Sequence, residues 1–413
     1  LRFDDTNPLA EDEKFVAAIQ KDIKWLGYDW GKNIFWASNY FDQMYDYALK
    51  LIQQNDAYVC DLSIDQFKEY RGVPTKPGKL PPGRKRSIEE NISLFKKMKA
   101  GGFDDGSYVL RAKIDMSSPN LHLRDPAIYR IRHTSHHNTK NKYCIYPMYD
   151  FAHCIEDSIE EITHSLCTLE FEVHRPLYDW IINKLDIYKP QQIEFSRLNM
   201  SYMIMSKRRL LQLIENNFVN DWDDPRLPTI SGLRRRGYTA NSIKKLCEAV
   251  GCTKYESITE IELFENFVRS DLNETSPRAM AVLDPIKLII ENYPKDKVEY
   301  IDISNHPQDP SFGSRKVPFS KELYIERNDY LDNAPNKFKR FTIGREVRLR
   351  SAYCVTCTNV LKDDDGNVNT VICTYDPSTK GVNPSDGRKV RGIVHWVSIC
   401  LLYTSDAADD VRG

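Results

Sequence analysis

Met205-Ser206-Lys207-Arg208-Arg209 sets a small hydroxyl beside three consecutive cations, shortly after Arg197-Leu198. Such a run suits a polyphosphate: the lysine is a point charge, and the serine hydroxyl and nearby backbone N–H groups are donors. It reads equally as the basic start of an ordinary helix, and these residues alone leave both readings open.

Around and beyond this run, from about Arg197 to Asn273, the pattern is mostly helical, with Ile243, Leu246, Ala249 and Val250, then Ile261, Phe264 and Phe267, at helical spacing. N-terminal to it the chain reads as mixed α/β. Phe15, Ile19, Ile23 and Leu26 predict a helix that Gly27 ends. Ser38 is placed to cap a second helix carrying Phe41, Met44, Tyr45, Ala48, Leu49 and Ile52. A polar, basic loop runs from Arg71 to Arg86. Ser87 with Glu90 forms a capping box for a third helix, closed by Gly101-Gly102. Leu110 to Met116 alternates as a strand. Beyond Pro285 the texture changes to short alternating strands: Val347 to Tyr353, a hairpin at Asp365-Gly366, and Val390 to Val397. The predicted layout is an α/β part, a helical part and an all-β part, without internal repeats.

The 413 residues predict two to four domains, and 41% apolar with 28% charged residues is a soluble globular balance. The formal net charge of −1 excludes a global basic field, so any RNA contact has to use local patches. No apolar run reaches membrane-spanning length and no secretory signal is visible, so no membrane association is expected. Ten scattered cysteines fit reduced thiols in the cytosol. Cys354 and Cys357, with Cys373 and His395, have the types of a zinc set. On a strand, however, positions three apart face opposite sides, so buried thiols and no metal are the expectation.

The central run, taken as Ile204-Met205-Ser206-Lys207-Arg208, resembles the KMSKS signature of class I aminoacyl-tRNA synthetases. Further stretches resemble the glutaminyl and glutamyl members of that class. They are Arg2-Phe3-Asp4-Asp5-Thr6-Asn7-Pro8, Cys144 to Phe151, Thr163 to Phe171, Trp222 to Thr229 and Gly232 to Gly237. The resemblance covers about Leu1 to Ser398. It implies a Rossmann-type α/β catalytic domain split by an inserted acceptor-binding domain, then a helical region and C-terminal all-β anticodon-binding barrels. The implied boundaries are 1–37 and 143–210 for the two catalytic halves, 38–142 for the insertion, 211–274 for the helical domain and 275–399 for the barrel region. The implied reaction joins an amino acid to tRNA through an aminoacyl-adenylate, with ATP as substrate, accompanied by Mg2+, and no tightly bound cofactor.

By the same resemblance Met205, Ser206 and Lys207 hold ATP, Lys207 stabilising the leaving pyrophosphate, with Thr168, Arg197 and Leu198 around the adenosine. Asp4 takes the substrate ammonium, and Tyr149 and Gln192, with His153 and Cys167 nearby, meet its side chain. A glutamate substrate would need a cation for its second carboxylate. Related glutamyl enzymes place an arginine in the strand that here carries neutral Cys167, which favours glutamine unless His153 is protonated. Arg84, in the basic loop of the insertion, and Arg234 and Arg235 are expected against tRNA phosphate. Lys337, Lys339, Arg340 and Arg350, with Arg278, are expected at the anticodon. An exposed basic surface is the plain alternative for each. In the family an apolar loop residue opens the first base pair; that place falls near Val73-Pro74.

The class signature His-Ile-Gly-His is absent, and no His-x-Gly-His occurs among the nine histidines. The chain is therefore expected to be a piece lacking its upstream motif, and to be inactive or nearly so as it stands. The small, acidic stretch 400–413 is expected to be non-native. The expected setting is cytoplasmic translation, with a glutamyl or dual-specificity enzyme, or a non-catalytic RNA-binding relative, as alternatives.

Overall fold

A computed structural model describes residues 1–9, 13–335, 337–390 and 392–399. The stretch 400–413, expected to be non-native, lies outside the described residues. The chain divides into two compact units at Leu272/Asn273.

The first unit is built on an antiparallel sheet of four strands in the order Ala57–Cys60, Val109–Ala112, Ala127–Ile131, Ile145–Pro147. The helix Phe41–Gln53 packs on it with Phe41, Met44, Tyr45, Ala48, Leu51 and Ile52 buried, the spacing of one helical face. Phe95 and Met98 of the helix Ile88–Lys99 join the same core, Phe95 stacked on Tyr45 at 4.9 Å. So do Leu177, Ile181 and Leu185 of the helix Arg175–Leu185 and Phe151 and Ile155 of the helix Tyr149–Ile159. Each such large side chain contributes about 1.5–3 kcal/mol on burial.

Two short parallel pairs flank this core. Arg2–Phe3 pairs with Phe35–Trp36, with the helix Glu13–Trp25 between them in sequence. His164–Thr168 pairs with Gln191–Phe195, with Arg175–Leu185 between. Parallel partners require such a crossover, since a tight turn can only join antiparallel ones. Beyond them lie the helices Lys207–Glu215, Ile230–Arg236, Ala240–Val250 and Ile261–Thr275. Met200, Leu233, Tyr238, Leu246 and Phe264 form a core there. Thr229 and Thr239 cap two of these helices, each hydroxyl accepting a backbone N–H (Gly232 and Ser242).

The second unit is a seven-stranded sheet. Its order is Ile393–Val394, Glu346–Leu349, Cys354–Lys362, Val368–Asp376, Pro285–Ile290, Glu322–Glu326, Val397–Ser398. The two outer strands are separated only by His395 and Trp396, so the sheet curls until its edges approach. Trp396 is fully buried inside the curl against Phe319, and its indole N–H donates to the Arg350 carbonyl at 3.0 Å. A hairpin of Glu299–Ser304 and Ser314–Phe319 lies beside it in the chain.

Several sequence expectations need correction. Ser38 does not cap a helix: Phe41–Gln53 starts after Tyr40 with no side-chain cap, and the Ser38 hydroxyl donates to Asp5. Ser87 caps Ile88–Lys99 as expected, but the Glu90 carboxylate pairs with Arg86 at 3.3 Å rather than completing a box. The strand predicted to run to Met116 ends at Ala112. Val347 to Tyr353 is not one strand, because the chain turns at Ser351 (φ 59°). Val390 to Val397 breaks into the two edge strands. The Asp365-Gly366 turn stands, with Gly366 at φ 82°. Cys354 and Cys357 are buried thiols in different surroundings: Cys357 lies opposite Cys373, whereas the Cys354 N–H donates to Thr379.

Candidate active site

The parallel pair His164–Thr168 and Gln191–Phe195 brings Cys167 and Gln192 together. The Gln192 Nε2 amide donates to the Cys167 Sγ at 3.2 Å, and Gln192 Oε1 is buried without a hydrogen-bond partner. Burial holds the Cys167 thiol above its ordinary value, so it stays neutral. From the facing helix, Tyr149 stacks on His153 at 5.2 Å. His153 Nε2 lies 3.2 Å from Ser165 Oγ and 3.2 Å from an Asp157 oxygen. Burial lowers its pKa despite Asp157, so the ring is neutral at physiological pH. Asp4 is exposed at the end of the first short strand, and its charge acts on Tyr149 and on Glu156. The next residue fixes that segment. Asp5 is buried, its carboxylate accepting from the Ser38 N–H at 2.8 Å, the Ser38 hydroxyl at 2.7 Å and His137 Nε2 at 2.9 Å.

Charged residues that the sequence reading assigned no role lie next to this cluster. Arg2 meets Asp157 at 2.5 Å, Glu160 at 3.3 Å and Glu156 at 3.4 Å. The tighter Asp157 contact leaves Glu156 the outer place. Burial outweighs Arg2 there, with Asp4 adding to it, and pushes the Glu156 carboxyl up to about 9. Tyr178 completes the cluster, its hydroxyl donating to Asp157 at 3.0 Å. Beside Cys167, on the paired strand, Glu194 is buried and bound by Arg175 and Lys254. Only apolar periodicity is visible in such helices and strands, so no sequence signal marks these buried carboxylates.

Two adjoining clefts collect the residues assigned to ATP. One, of about 470 Å³, is lined by Thr168, Leu169, Glu170, Arg197, Asn199 and Glu256. The other, of about 540 Å³, shares Arg197, Asn199 and Glu256 and reaches Met205 and Ser206. Arg197 pairs with Glu170 at 2.7 Å, both side chains largely exposed. Leu198 turns its side chain away, into the core around Leu233 and Phe264. Lys207 opens the helix Lys207–Glu215, exposed, with its ammonium 5.2 Å from the Phe15 ring. The unpaired N–H groups of that helix start add to the local positive field. Glu256 is a lining residue the sequence reading missed.

The cations assigned to RNA fall into two sets. Arg84 faces inward, both oxygens of buried Asp125 lying 2.9 Å from its Nη1, while Lys76, Lys79 and Lys85 of the same loop are exposed. Val73 is also exposed. Arg234, Arg235 and Arg236 form the last turn of Ile230–Arg236, where cations complement the dipole. Arg234 pairs with Asp22 at 3.3 Å and Arg235 with Asp223 at 3.1 Å. In the second unit Lys337, Lys339 and Arg340 are exposed, Arg340 pairing with Asp329 at 2.7 Å. Arg340 and Arg350 both act on His395, whose pKa burial lowers first and these cations lower further. Arg278 binds its own segment, Ser276 O at 3.1 Å and Asn273 O at 3.0 Å.

Among the described residues, two groups have ligand atoms close enough for a metal ion: Asp5 with His136 and His137, and His122 with Asp150 and His174. Neither borders the two clefts. No described helix is long and apolar enough to cross a membrane.

The family of the chain is shown by its sequence. Residues 1–274 match the family model of tRNA synthetases class I (E and Q), catalytic domain, and residues 276–376 match that of the anti-codon binding domain of the same family. The chain belongs to this family. It is 57% identical over 400 residues to a glutamine--tRNA ligase of Clostridium kluyveri, covering 97% of this chain and 72% of that one. It is 56% identical over 399 residues to a glutamine--tRNA ligase of Vibrio vulnificus, covering 96% and 72%. A solved glutamate tRNA ligase from Elizabethkingia meningosepticum, in complex with its amino acid, aligns with a TM-score of 0.46 at 16% identity over 67% of this chain and 63% of that one, too loosely to carry an argument.

Proposed function

We propose that this chain carries the glutamine, ATP and tRNA sites of an enzyme that ligates glutamine to tRNA at the expense of ATP, through a glutaminyl-adenylate. The observation that carries the choice of amino acid is the uncharged wall: the Gln192 amide on the Cys167 thiol, faced by a neutral His153. Names of relatives more than half identical to this chain point the same way. A desolvated carboxylate in this pocket would have no cation; an amide of the same shape needs none.

In this reading Asp4 receives the substrate ammonium, and Tyr149 and Gln192 meet the side-chain amide, Gln192 through its unpartnered carbonyl. Adenosine lies along Thr168, Arg197 and the Leu198 backbone. Met205 and Ser206 line the phosphate end, and Lys207 stabilises charge on the departing pyrophosphate. The glutamine carboxylate attacks the α-phosphate, and the tRNA terminal ribose hydroxyl then attacks the adenylate carbonyl. The chain positions and neutralises; it forms no covalent bond with either substrate. Mg2+ would arrive on the phosphates, since the metal-capable groups lie elsewhere.

Two parallel strand pairs, each with a helical crossover, support a Rossmann-type core across 1–37 and 143–210. The antiparallel sheet, three of whose four strands lie within 38–142, supports the acceptor-stem insertion there, and the helices of 211–274 support a helical domain. The curled sheet of 275–399 supports an anticodon-binding barrel, with Lys337, Lys339, Arg340 and Arg350 toward the bases. Arg234 and Arg235 remain candidates for phosphate through release of their acidic partners, Arg278 for the anticodon side, and Arg84 only if Asp125 gives it up. The setting is cytoplasmic translation. Titrating the protein with L-glutamine and L-glutamate, and charging total tRNA with each, tests the reading. Preference for glutamine supports it, and equal or better use of glutamate overturns it.

A further inference from the structure

Glu194 is a buried carboxylate one step along from the wall formed by Cys167 and Gln192. It is the register partner of Cys167 across the parallel pair, and lies two residues from Gln192, so all three side chains project from one face. Its side chain is 1% exposed. Arg175, at the start of its helix, donates Nη2 to Oε2 at 2.9 Å, and its Nε lies 2.8 Å from Oε1 as an ion-pair contact that leaves Oε1 without a hydrogen-bond partner. Lys254 adds its ammonium at 3.2 Å from Oε2, and is itself shared with Glu172 at 2.7 Å.

A buried carboxylate is costly to place, and a hydrogen-bonded arginine with a second cation beside it offsets that cost. A structural anchor alone would explain the pair. Its position explains more. The wall is uncharged only because this cation beside it is already matched. Arg2, next to His153, is likewise held by the carboxylates of Asp157 and Glu160. A substrate carboxylate entering between Tyr149 and Gln192 would find each neighbouring cation occupied and a buried anion beside the wall.

We infer that Glu194 is a specificity-determining residue that excludes glutamate: by holding Arg175 in an ion pair beside Cys167 and Gln192, it denies a substrate carboxylate its counter-charge. This rests on the glutamine reading and assigns a source to it. Discrimination does not reside in the absence of a basic residue at Cys167 alone; an arginine is present nearby and is neutralised. Glu194 touches no substrate, so it acts by positioning and screening Arg175.

The test compares the unaltered chain with E194Q, R175Q and the double variant R175M/E194Q. Binding of L-glutamine and L-glutamate is followed by calorimetry, which needs no turnover, with charging kinetics beside it. In E194Q the freed arginine should narrow the preference for glutamine by about tenfold or more, through the glutamate Kd and KM rather than kcat. In the double variant, with cation and anion both removed, the preference should return. Loosened packing alone would weaken both amino acids in both variants and restore nothing, and that pattern would overturn the proposal. So would an unchanged preference in folded E194Q. Should E194Q fail to fold, R175Q decides: its side chain is partly exposed and Lys254 still holds Glu194, and it must weaken residual glutamate binding several-fold, no change counting against the proposal. Equal affinity of the unaltered chain for both amino acids would overturn the glutamine reading and this inference together.

Discussion

Gln192 donates its side-chain amide to the Cys167 thiol across two parallel strands, at 3.2 Å. The other end of the same amide, Oε1, is buried without a partner, a condition that ordinarily costs about 1–3 kcal/mol. A substrate amide N–H is the group that would satisfy it. Gln192→Met keeps the volume and removes both polar atoms. It should raise the KM for glutamine by roughly 3–10-fold, the worth of one hydrogen bond, with little change in melting temperature. Calorimetric titration with glutamine checks this, and unaltered affinity would place the substrate elsewhere.

Glu156 gives a stability prediction with a definite sign. Its carboxyl is pushed up to about 9, so in the folded protein it is protonated where the unfolded chain, near 4.5, is ionised. The unfolded state binds fewer protons across that window. Stability associated with this group is therefore intact below the unfolded value and falls as pH rises toward about 9, by about 1.4 kcal/mol per unit. Glu156→Gln, neutral throughout, should melt higher than the parent at pH 8 and match it near about pH 5. Arg2 keeps Asp157 and Glu160 as partners in the variant. Melting curves across that range, without an upward crossover, would contradict the protonated form.

Lys207 is exposed and its one ring contact, with Phe15 at 5.2 Å, contributes about 0.5–1 kcal/mol. Lys207→Ala should leave folding and glutamine affinity nearly unchanged. Glutamine-dependent exchange of pyrophosphate into ATP should fall by about 100-fold or more, the usual effect of deleting one charge-stabilising donor. A fall in glutamine affinity with normal exchange would remove the lysine from the phosphate end.

In the second unit Lys337 and Lys339 are exposed, and neither forms an ion pair among the described residues. Replacing both with alanine should weaken tRNA binding. It should also lower the slope of log affinity against log salt by about 0.7 for each single-strand phosphate that is no longer neutralised. A slope identical to the parent's would place both lysines off the RNA.

Local chemistry makes parts of this fold legible. Ser87 and Gly101 bound a helix because a cap hydroxyl and a left-handed glycine act within one turn. The turn at Gly366 is legible for the same reason. Ser38 misleads because its hydroxyl goes to Asp5, far back in the chain, and no local pattern reveals so distant a competitor. Arg84 looks like its exposed lysine neighbours in sequence, yet Asp125 draws it inward. The candidate site divides similarly. The Met205-Ser206-Lys207 run is contiguous and can be read directly. The carboxylates of Glu156, Asp157 and Glu194 are set by burial, which periodicity marks only for apolar residues.

The seven-stranded sheet of the second unit takes both its borders from the single stretch Ile393–Ser398, the last strands described. During synthesis, five strands are therefore made before either border exists, and the flanks of Glu346–Leu349 and Glu322–Glu326 wait with unpaired backbone groups. Emergence of that one stretch from the ribosome seals both flanks and buries Trp396 in one event. Nascent chains halted short of it would present two sticky margins for intermolecular pairing, so this half of the protein is most vulnerable to aggregation while that stretch is still inside the ribosome.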